Sequence, residues 1–295
     1  MLTIRTDLAA ESHALACGGT EETTALPGVR ASSETVCGCA VTCVEILDDE
    51  GANLLGKPKG IYYTLDFADL HPGDGESFSR TAHAVAHLLR NLLPRVGTVL
   101  VAGLGNRNMT PDALGALTLE HLLITRHLGD VLPQMRPVTA IGAGVLGTTG
   151  MEAAEWIHGA AQRVKPTAVV LVDALAARST DRLCTTIQIS DSGLIPGSGI
   201  GNHRKALTRE TLGVSVISVG VPTVVDAATL VRDMLEQHNG ELDAAVLSRG
   251  GKTLFVTPDS IDDQVLRAAR LVACGLNLAL QEGMELEDLI ALTSP

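Results

Sequence analysis

Two aspartates stand where an α/β protein often carries its chemistry. Asp173 ends the apolar run AVVLVD, and Asp112 follows the apolar run TVLVAGL through the turn GNRNMTP. In open α/β sheets the functional crevice lies beyond the carboxyl ends of the strands. If the two strands are neighbours, both carboxylates converge on one crevice, where a close pair with separated pKa values can serve as general acid and general base.

Each aspartate also has a structural interpretation. Thr110 suits an N-cap and Pro111 the first helical position, so we expect Asp112 in the first turn of a helix, where the dipole favours a carboxylate. Asp173 is equally suited to cap the segment ALAAR that follows it. Neither the turn before Asp112 nor GAGVLGTTG at 142–150 has the lysine of a phosphate-binding loop.

The segment TTIQISDSGLIPGSGIGNHRK, residues 185–205, is a third candidate. Its glycines and polar residues are typical of a long loop with a function, although glycine's positive φ also suits a tight connection. We expect its Asp191, Ser198, Gly199 and Asn202 to contact substrate or to support the loop. Main-chain N–H groups of residues 192–201 are the predicted donors to an oxyanion.

Residues of metal-ligating types occur in incomplete patterns. Cys37, Cys39 and Cys43 would share one face of an extended segment, but a zinc site would need a fourth ligand. We therefore expect reduced thiols, no metal and no cofactor. His83 and His87 stand four residues apart on a predicted helix without an accompanying carboxylate motif, which favours a pair on the helix surface.

The elements that position these residues follow from apolar patterns. Apolar, β-branched runs predict buried strands at 41–47, 60–67, 98–104, 167–175 and 214–221, and helical periodicity predicts helices at 77–93, 111–123, 151–164, 224–238 and within the segment from 258. Residues 17–39, rich in Gly, Thr, Ser and Glu, are expected to form a loop. Unalternating strands separated by helices indicate a mainly parallel sheet covered on both faces, an α/β three-layer sandwich.

Composition excludes several classes of protein. A formal net charge of −12 and only six aromatic residues (three Phe, two Tyr, one Trp) argue against a nucleic-acid partner, which needs a basic face or stacking platforms. No stretch reaches the roughly 18 apolar residues of a membrane span, and the N-terminus is not patterned as a secretory signal. Six cysteines without a small disulfide framework favour a reduced, cytoplasmic protein.

Longer motifs carry a family resemblance. The segments are RTDLAAESHAL at 5–15, VEILDDEGANLLGKPKGIYYTL at 44–65, GLGNRNMTPDALG at 103–115, ITRHL at 124–128, VDALAARS at 172–179, IQISDSGLIPGSGIGNHRK at 187–205 and GVPTVVDAATLV at 220–231. Together they resemble the spore germination protease family, in family order and over nearly the whole chain. The chain departs from the family pattern in being shorter and in its CGCAVTC cysteines.

The resemblance implies an endopeptidase that degrades small acid-soluble spore proteins during germination, in the forespore or spore core. It also implies a fold related to hydrogenase-maturation peptidases (phosphorylase/hydrolase-like), a homotetramer and synthesis as an inactive zymogen. The family's two essential aspartates fall on Asp112 and Asp173, the pair that the strand ends indicate.

The N-terminal stretch TDLAAE, Thr6 to Glu11, looks like the acidic–apolar–Ala sites that the family cuts in its substrates. Because chain ends are usually exposed, we expect autoprocessing between Asp7 and Leu8. Residues 1–7 would then be a propeptide and residues 8–295 a single peptidase domain. The alternative is a capped helix start, with Thr6 as N-cap and Asp7 in the first turn.

Two mechanisms remain open for the aspartate pair. In one, an ionised carboxylate activates water while its protonated partner assists at the carbonyl or the leaving amine. In the other, Asp112 and Asp173 ligate the ion of a metal-dependent hydrolase, with a histidine as a further ligand.

Overall fold

The computed structural model describes residues 5–18, 25–67, 74–197, 205–237 and 254–293. Their strands are β1 (Val29–Val36), β2 (Cys39–Ile46), β3 (Gly60–Asp66), β4 (Val99–Leu104), β5 (Val138–Gly144), β6 (Ala168–Ala177), β7 (Thr186–Ser190), β8 (Ser215–Asp226) and β9 (Phe255–Val256). All of these strands belong to one sheet of order β1-β2-β3-β7-β8-β6-β4-β5, with β9 paired to β8.

Helices cover the sheet and connect its strands. They are α1 (Ala9–Ala16), α2 (Asp49–Leu55), α3 (Gly75–Leu92), α4 (Leu114–Glu120), α5 (Leu146–Thr149), α6 (Ala153–Val164), α7 (Arg209–Leu212), α8 (Ala227–Gln237), α9 (Ile261–Leu280) and α10 (Leu286–Thr293). Short 3₁₀ turns occur at Thr110–Asp112, Arg126–Leu128 and Thr180–Arg182. Within the described ranges, no helix has both the length and the apolar character needed to cross a membrane.

The sheet has a parallel and an antiparallel half. Strands β5, β4, β6 and β8 run parallel to one another. From β8 onward, β7, β3, β2 and β1 alternate in direction. In the parallel half, all six residues of β4 are buried, as expected for a strand with helices over both faces.

Two apolar layers enclose this half of the sheet. On one face, side chains such as Val101 and Val170 pack with residues of α3, α4 and α9. On the other, Leu100 and Leu171 pack with Ile157 of α6. The predicted α/β sandwich is therefore confirmed, because alternate residues of the same strands are buried against helices on opposite sides.

Several predicted boundaries are wrong for identifiable reasons. The predicted loop at 17–39 contains β1, an edge strand whose exposed polar residues do not form an apolar run. The predicted helix 111–123 is divided into the 3₁₀ turn at Thr110–Asp112 and α4. The predicted helix 224–238 begins only at Ala227, since β8 continues to Asp226. Strands at 60–67 and 98–104, and helices at 77–93 and 151–164, are confirmed within a few residues.

Candidate active site

Both predicted aspartates line a single cleft of about 530 Å³. The cleft opens where β4 stops: the last β4–β6 pair is Gly103 with Val172, so Asp173 lies beside the end of β4. Its lining includes Leu175 from β6 and Ser218 from β8, which lie on the same face of the sheet. The convergence predicted from two strand ends is thus present.

Asp173 is not at the end of its own strand, contrary to the sequence prediction. It is the sixth residue of β6, which runs on to Ala177 because β8 remains paired with it over its whole length. The side chain is buried, and one carboxylate oxygen accepts the N–H of Ala174 at 3.0 Å. The carboxylate thereby fixes the main chain of the strand that carries it.

Asp112 is delivered by a tight turn rather than by the first turn of an α-helix. Its N–H donates to the carbonyl of Met109 at 2.8 Å, and its carboxylate accepts the N–H of Asn106 at 2.8 Å. Gly105 has φ +87°, and a Cβ there would lie 2.0 Å from the Asp112 carbonyl oxygen. Only glycine therefore lets the chain after β4 fold back closely enough to place this carboxylate.

A hydroxyl from β8 holds the Asp112 turn against the sheet. Thr223 donates to the carbonyl of Pro111 at 2.6 Å, and the Thr223 carbonyl accepts from the hydroxyl of Thr257 at 2.9 Å. Thr223 and Thr257 both line the cleft. The turn also contacts β6, so both aspartates belong to one packed unit.

The loop after β7 forms one wall of the cleft, but Asp191 itself lies outside the cleft. Residues 192–197 line the cleft, as predicted for this loop. Asp191 is exposed and is not among the described residues of the lining; its carboxylate accepts the N–H of Ile61 at 2.7 Å and ties the loop to β3. Ser198, Gly199 and Asn202 lie outside the described residues, and the oxyanion role of the loop stays a prediction.

Residues 6–11 are partly or completely buried, so the expectation of an exposed segment is wrong here. Leu8 and Ala9 are completely inaccessible, and Asp7 lines the cleft. The capped-helix alternative is also not observed, since α1 begins at Ala9 and Thr6 accepts the N–H of Leu8 at 3.0 Å. The carboxylate of Glu11 accepts main-chain N–H groups of the segment after β6.

Two polar residues of the cleft were not predicted from the sequence as site residues. Lys57, in the loop before β3, donates to the carbonyls of Thr6 at 3.3 Å and Asp7 at 2.9 Å. Burial lowers the pKa of Lys57, while the nearby Asp7 and Glu11 act in the opposite direction. The second is a buried glutamine, Gln188, within the apolar strand TIQIS; a polar residue in such a strand was the available signal.

Tyr62 also lines the cleft, next to the loop that carries Lys57. Its hydroxyl donates to the carbonyl of Pro58 at 2.7 Å. Burial raises the pKa of Tyr62 to about 12, so this phenol is neutral throughout the physiological range. Gly144, the last residue of β5, and Val145, which precedes α5, form part of the lining as well.

The structure places the three cysteines and the two histidines in different settings. Cys37 occupies the hairpin turn between β1 and β2 with φ +49°, so the three cysteines do not share one extended face. Cys39 is buried, and Cys43 is partly exposed on β2. His83 and His87 lie exposed on α3, which confirms the predicted surface pair. Within the described segments, no three His, Cys, Asp or Glu side chains are grouped to hold a metal ion.

Comparison with known proteins gives consistent matches. Residues 6–241 match the family model described as germination protease. The chain is 41% identical over 322 residues to a germination protease of Clostridium perfringens, covering 98% of each protein. It is 40% identical over 316 residues to that of Caldanaerobacter subterraneus, covering 96% of each.

A solved structure also shows a limited likeness. The [NiFe] hydrogenase maturation protease HycI from Thermococcus kodakarensis KOD1 is 20% identical in sequence, with a TM-score of 0.37. The match covers 64% of this chain and 98% of that one.

Proposed function

The chain belongs to the germination protease family, and we propose that it cleaves small acid-soluble spore proteins with Asp112 and Asp173 as a water-activating pair. That it is a protease follows from the family. The substrate and the roles of the two aspartates are the proposal.

One observation carries the proposal: Asp112 and Asp173, brought by different strands, line the same cleft. The turn that carries Asp112 is held against β8 through the Thr223–Pro111 hydrogen bond. Two carboxylates in one cleft can divide the tasks of general base and general acid if one is ionised while the other keeps its proton. The resemblance of the surrounding motifs to those of the family supports the same two residues.

The proposed reaction is hydrolysis of a peptide bond. The ionised carboxylate removes a proton from water as the water oxygen adds to the scissile carbonyl. The protonated carboxylate donates its proton as the bond to the amine breaks, and the products are a carboxylic acid and an amine. N–H groups of the cleft-lining loop at 192–197 are suitable donors to the transient oxyanion.

We also propose that the enzyme is made as a zymogen, that it cuts itself between Asp7 and Leu8, and that it works as a homotetramer in the spore cytoplasm with reduced cysteines. Support for a regulatory N-terminus comes from the position of Asp7 in the same cleft as the aspartates. A leader that occupies the cleft would keep substrate out until it is removed.

Asp173→Asn tests the function most directly. The purified variant and wild type are incubated with a small acid-soluble spore protein, and fragments are followed by mass spectrometry. Asparagine retains the oxygen that accepts the N–H of Ala174, so the variant should fold while its cleavage rate falls by about 10²–10⁴-fold. Cleavage near the wild-type rate by the variant would rule out the paired-carboxylate mechanism.

A further inference from the structure

Asp7 is held through every polar group that it presents. Its N–H donates to the carbonyl of Ala176 at 2.8 Å, and its carboxylate accepts the N–H of Ala176 at 2.9 Å. Its carbonyl oxygen accepts from Lys57 Nζ at 2.9 Å and from Gln188 Nε2 at 3.0 Å. These are contacts that any extended peptide with an acidic residue at this position could make.

Gln188, one of the groups that hold Asp7, also contacts a residue on the other side of the proposed cut. The side-chain oxygen of Gln188 accepts the N–H of Ala9 at 2.7 Å, which orients the amide nitrogen towards the carbonyl of residue 7. Leu8 is buried in an apolar pocket with Ala177, Leu183 and Val225. In a bound substrate the residues after the acidic one would take the places of Leu8 and Ala9, so these two residues must leave after the cut.

Loss of residues 1–7 would, however, deprive the cleft of several hydrogen-bond partners. The two carbonyls that accept from Lys57 belong to Thr6 and Asp7. The N–H and carbonyl of Ala176 would lose Asp7 as well, and Ala176 is buried. Buried polar groups without partners are unfavourable, so the vacated position favours a ligand with the same groups as Asp7.

We infer that Lys57, Gln188 and the main chain of Ala176 form the subsite that binds the acidic residue of substrates, and that Asp7 occupies this subsite before processing. The inference rests on the proposed function. Lys57 acts here as a specificity-determining residue: its ammonium binds the peptide carbonyl and attracts the nearby carboxylate. The same residues would therefore hold the leader and, after its removal, select the substrate.

The test uses two peptides, one with the sequence of residues 5–12 and one with asparagine at the position of Asp7. Self-processed wild type should prefer the acidic peptide in kcat/KM by about tenfold or more, since the subsite reads a charged group. In Lys57→Gln this ratio should fall towards one. In the matched control Lys59→Gln it should stay at the wild-type value, because Lys59 is exposed and pairs with Asp49. A Lys57→Gln enzyme that keeps the wild-type ratio overturns the inference.

A second measurement separates failure of the subsite from failure of the proposed function. All chains carry Asp112→Asn, so that they stay full-length. Four of them are compared by amide hydrogen exchange at residue 7: this background alone, and the background with Asp7→Asn, with Lys57→Gln or with both changes. Each single change should speed exchange several-fold, and the double change should speed it by less than the product, because the two groups interact. Independent, multiplicative effects contradict the subsite. If wild type cleaves neither peptide, the proposed function fails, and this coupling still decides whether Lys57 holds Asp7 in the full-length chain.

Discussion

Two turns of the molecule each carry an aspartate just beyond a strand: Asp112 after β4 in the parallel half and Asp191 after β7 in the antiparallel half. Their local settings are alike. Each carboxylate accepts a main-chain N–H, at 2.8 Å from Asn106 and at 2.7 Å from Ile61. Of the two, only Asp112 lines the cleft.

The two turns leave the sheet at different places, and the two carboxylates have different partners. β4, β6 and β8 are parallel, so the chain leaves β4 at the edge of the sheet where the cleft opens. β7 is antiparallel to β8, with Ser190 opposite Ser218, and residues 192–197 after it still line the cleft. The Asp191 carboxylate is instead bound to the N–H of Ile61 in β3. A carboxylate placed by similar local chemistry thus becomes a cleft residue in one half and a structural tie in the other.

The largest expected contrast is between Asp112→Asn and Asp191→Asn. Asparagine keeps an acceptor oxygen for the main-chain N–H in both turns, so each variant should fold and differ from wild type mainly in charge. We expect kcat/KM on a spore-protein peptide to fall by about 10²–10⁴-fold in Asp112→Asn. Asp191→Asn should stay within about threefold, since a neutral acceptor replaces a charged one at an exposed site. Equal losses in both variants would break the comparison.

Self-processing should show the same contrast. After incubation at mildly acidic pH, intact-mass spectrometry should find wild type and Asp191→Asn shortened by seven residues. Asp112→Asn should keep the full-length mass. The reason is that the cut requires the same aspartate pair as substrate cleavage. A wild-type mass that stays full-length under every condition that activates the enzyme would refute self-processing.

The glycines beside the two aspartates offer a smaller and more structural contrast. Gly105 has φ +87° and Gly60 has φ +146°, and a Cβ at Gly60 would lie 2.6 Å from the Asp191 carboxylate. Alanine at either position should lower the free energy of unfolding by about 1–3 kcal/mol, measured from urea unfolding. Activity per folded molecule should fall only in Gly105→Ala, since that Cβ displaces Asp112. Loss of specific activity in Gly60→Ala would contradict this.

The smallest expected effect is that of a metal chelator. The paired-carboxylate mechanism needs no metal, so activity after prolonged incubation with a strong chelator should remain within about twofold of the untreated enzyme. Asp112→Asn serves as the inactive reference in the same assay. Activity that is lost to the chelator and restored by a divalent cation would instead favour the metal-dependent mechanism.

The sequence determined the local elements and, through them, the catalytic candidates. Apolar β-branched runs predicted β2, β3, β4, β6 and β8. The fully or mostly buried β4 and β6 must be apolar at nearly every position, whereas β2 and β3 are partly exposed. Asp112 and Asp173 stood out because each interrupts or follows such a run. β1 could not be found in the same way, since its polar residues satisfy an exposed edge.

Only the tertiary structure decided which of these residues meet. Hydrophobic periodicity specifies which face of an element is buried, but strand order depends on pairings between distant segments. Asp7 contacts Ala176 across 169 residues of chain, and Lys57 meets the carbonyl of Asp7 across 50. Similar hydrogen bonds likewise hold Asp112 and Asp191. Only the assembled sheet brings Ile61 of β3 next to Asp191 and so ties that carboxylate outside the cleft that Asp112 lines.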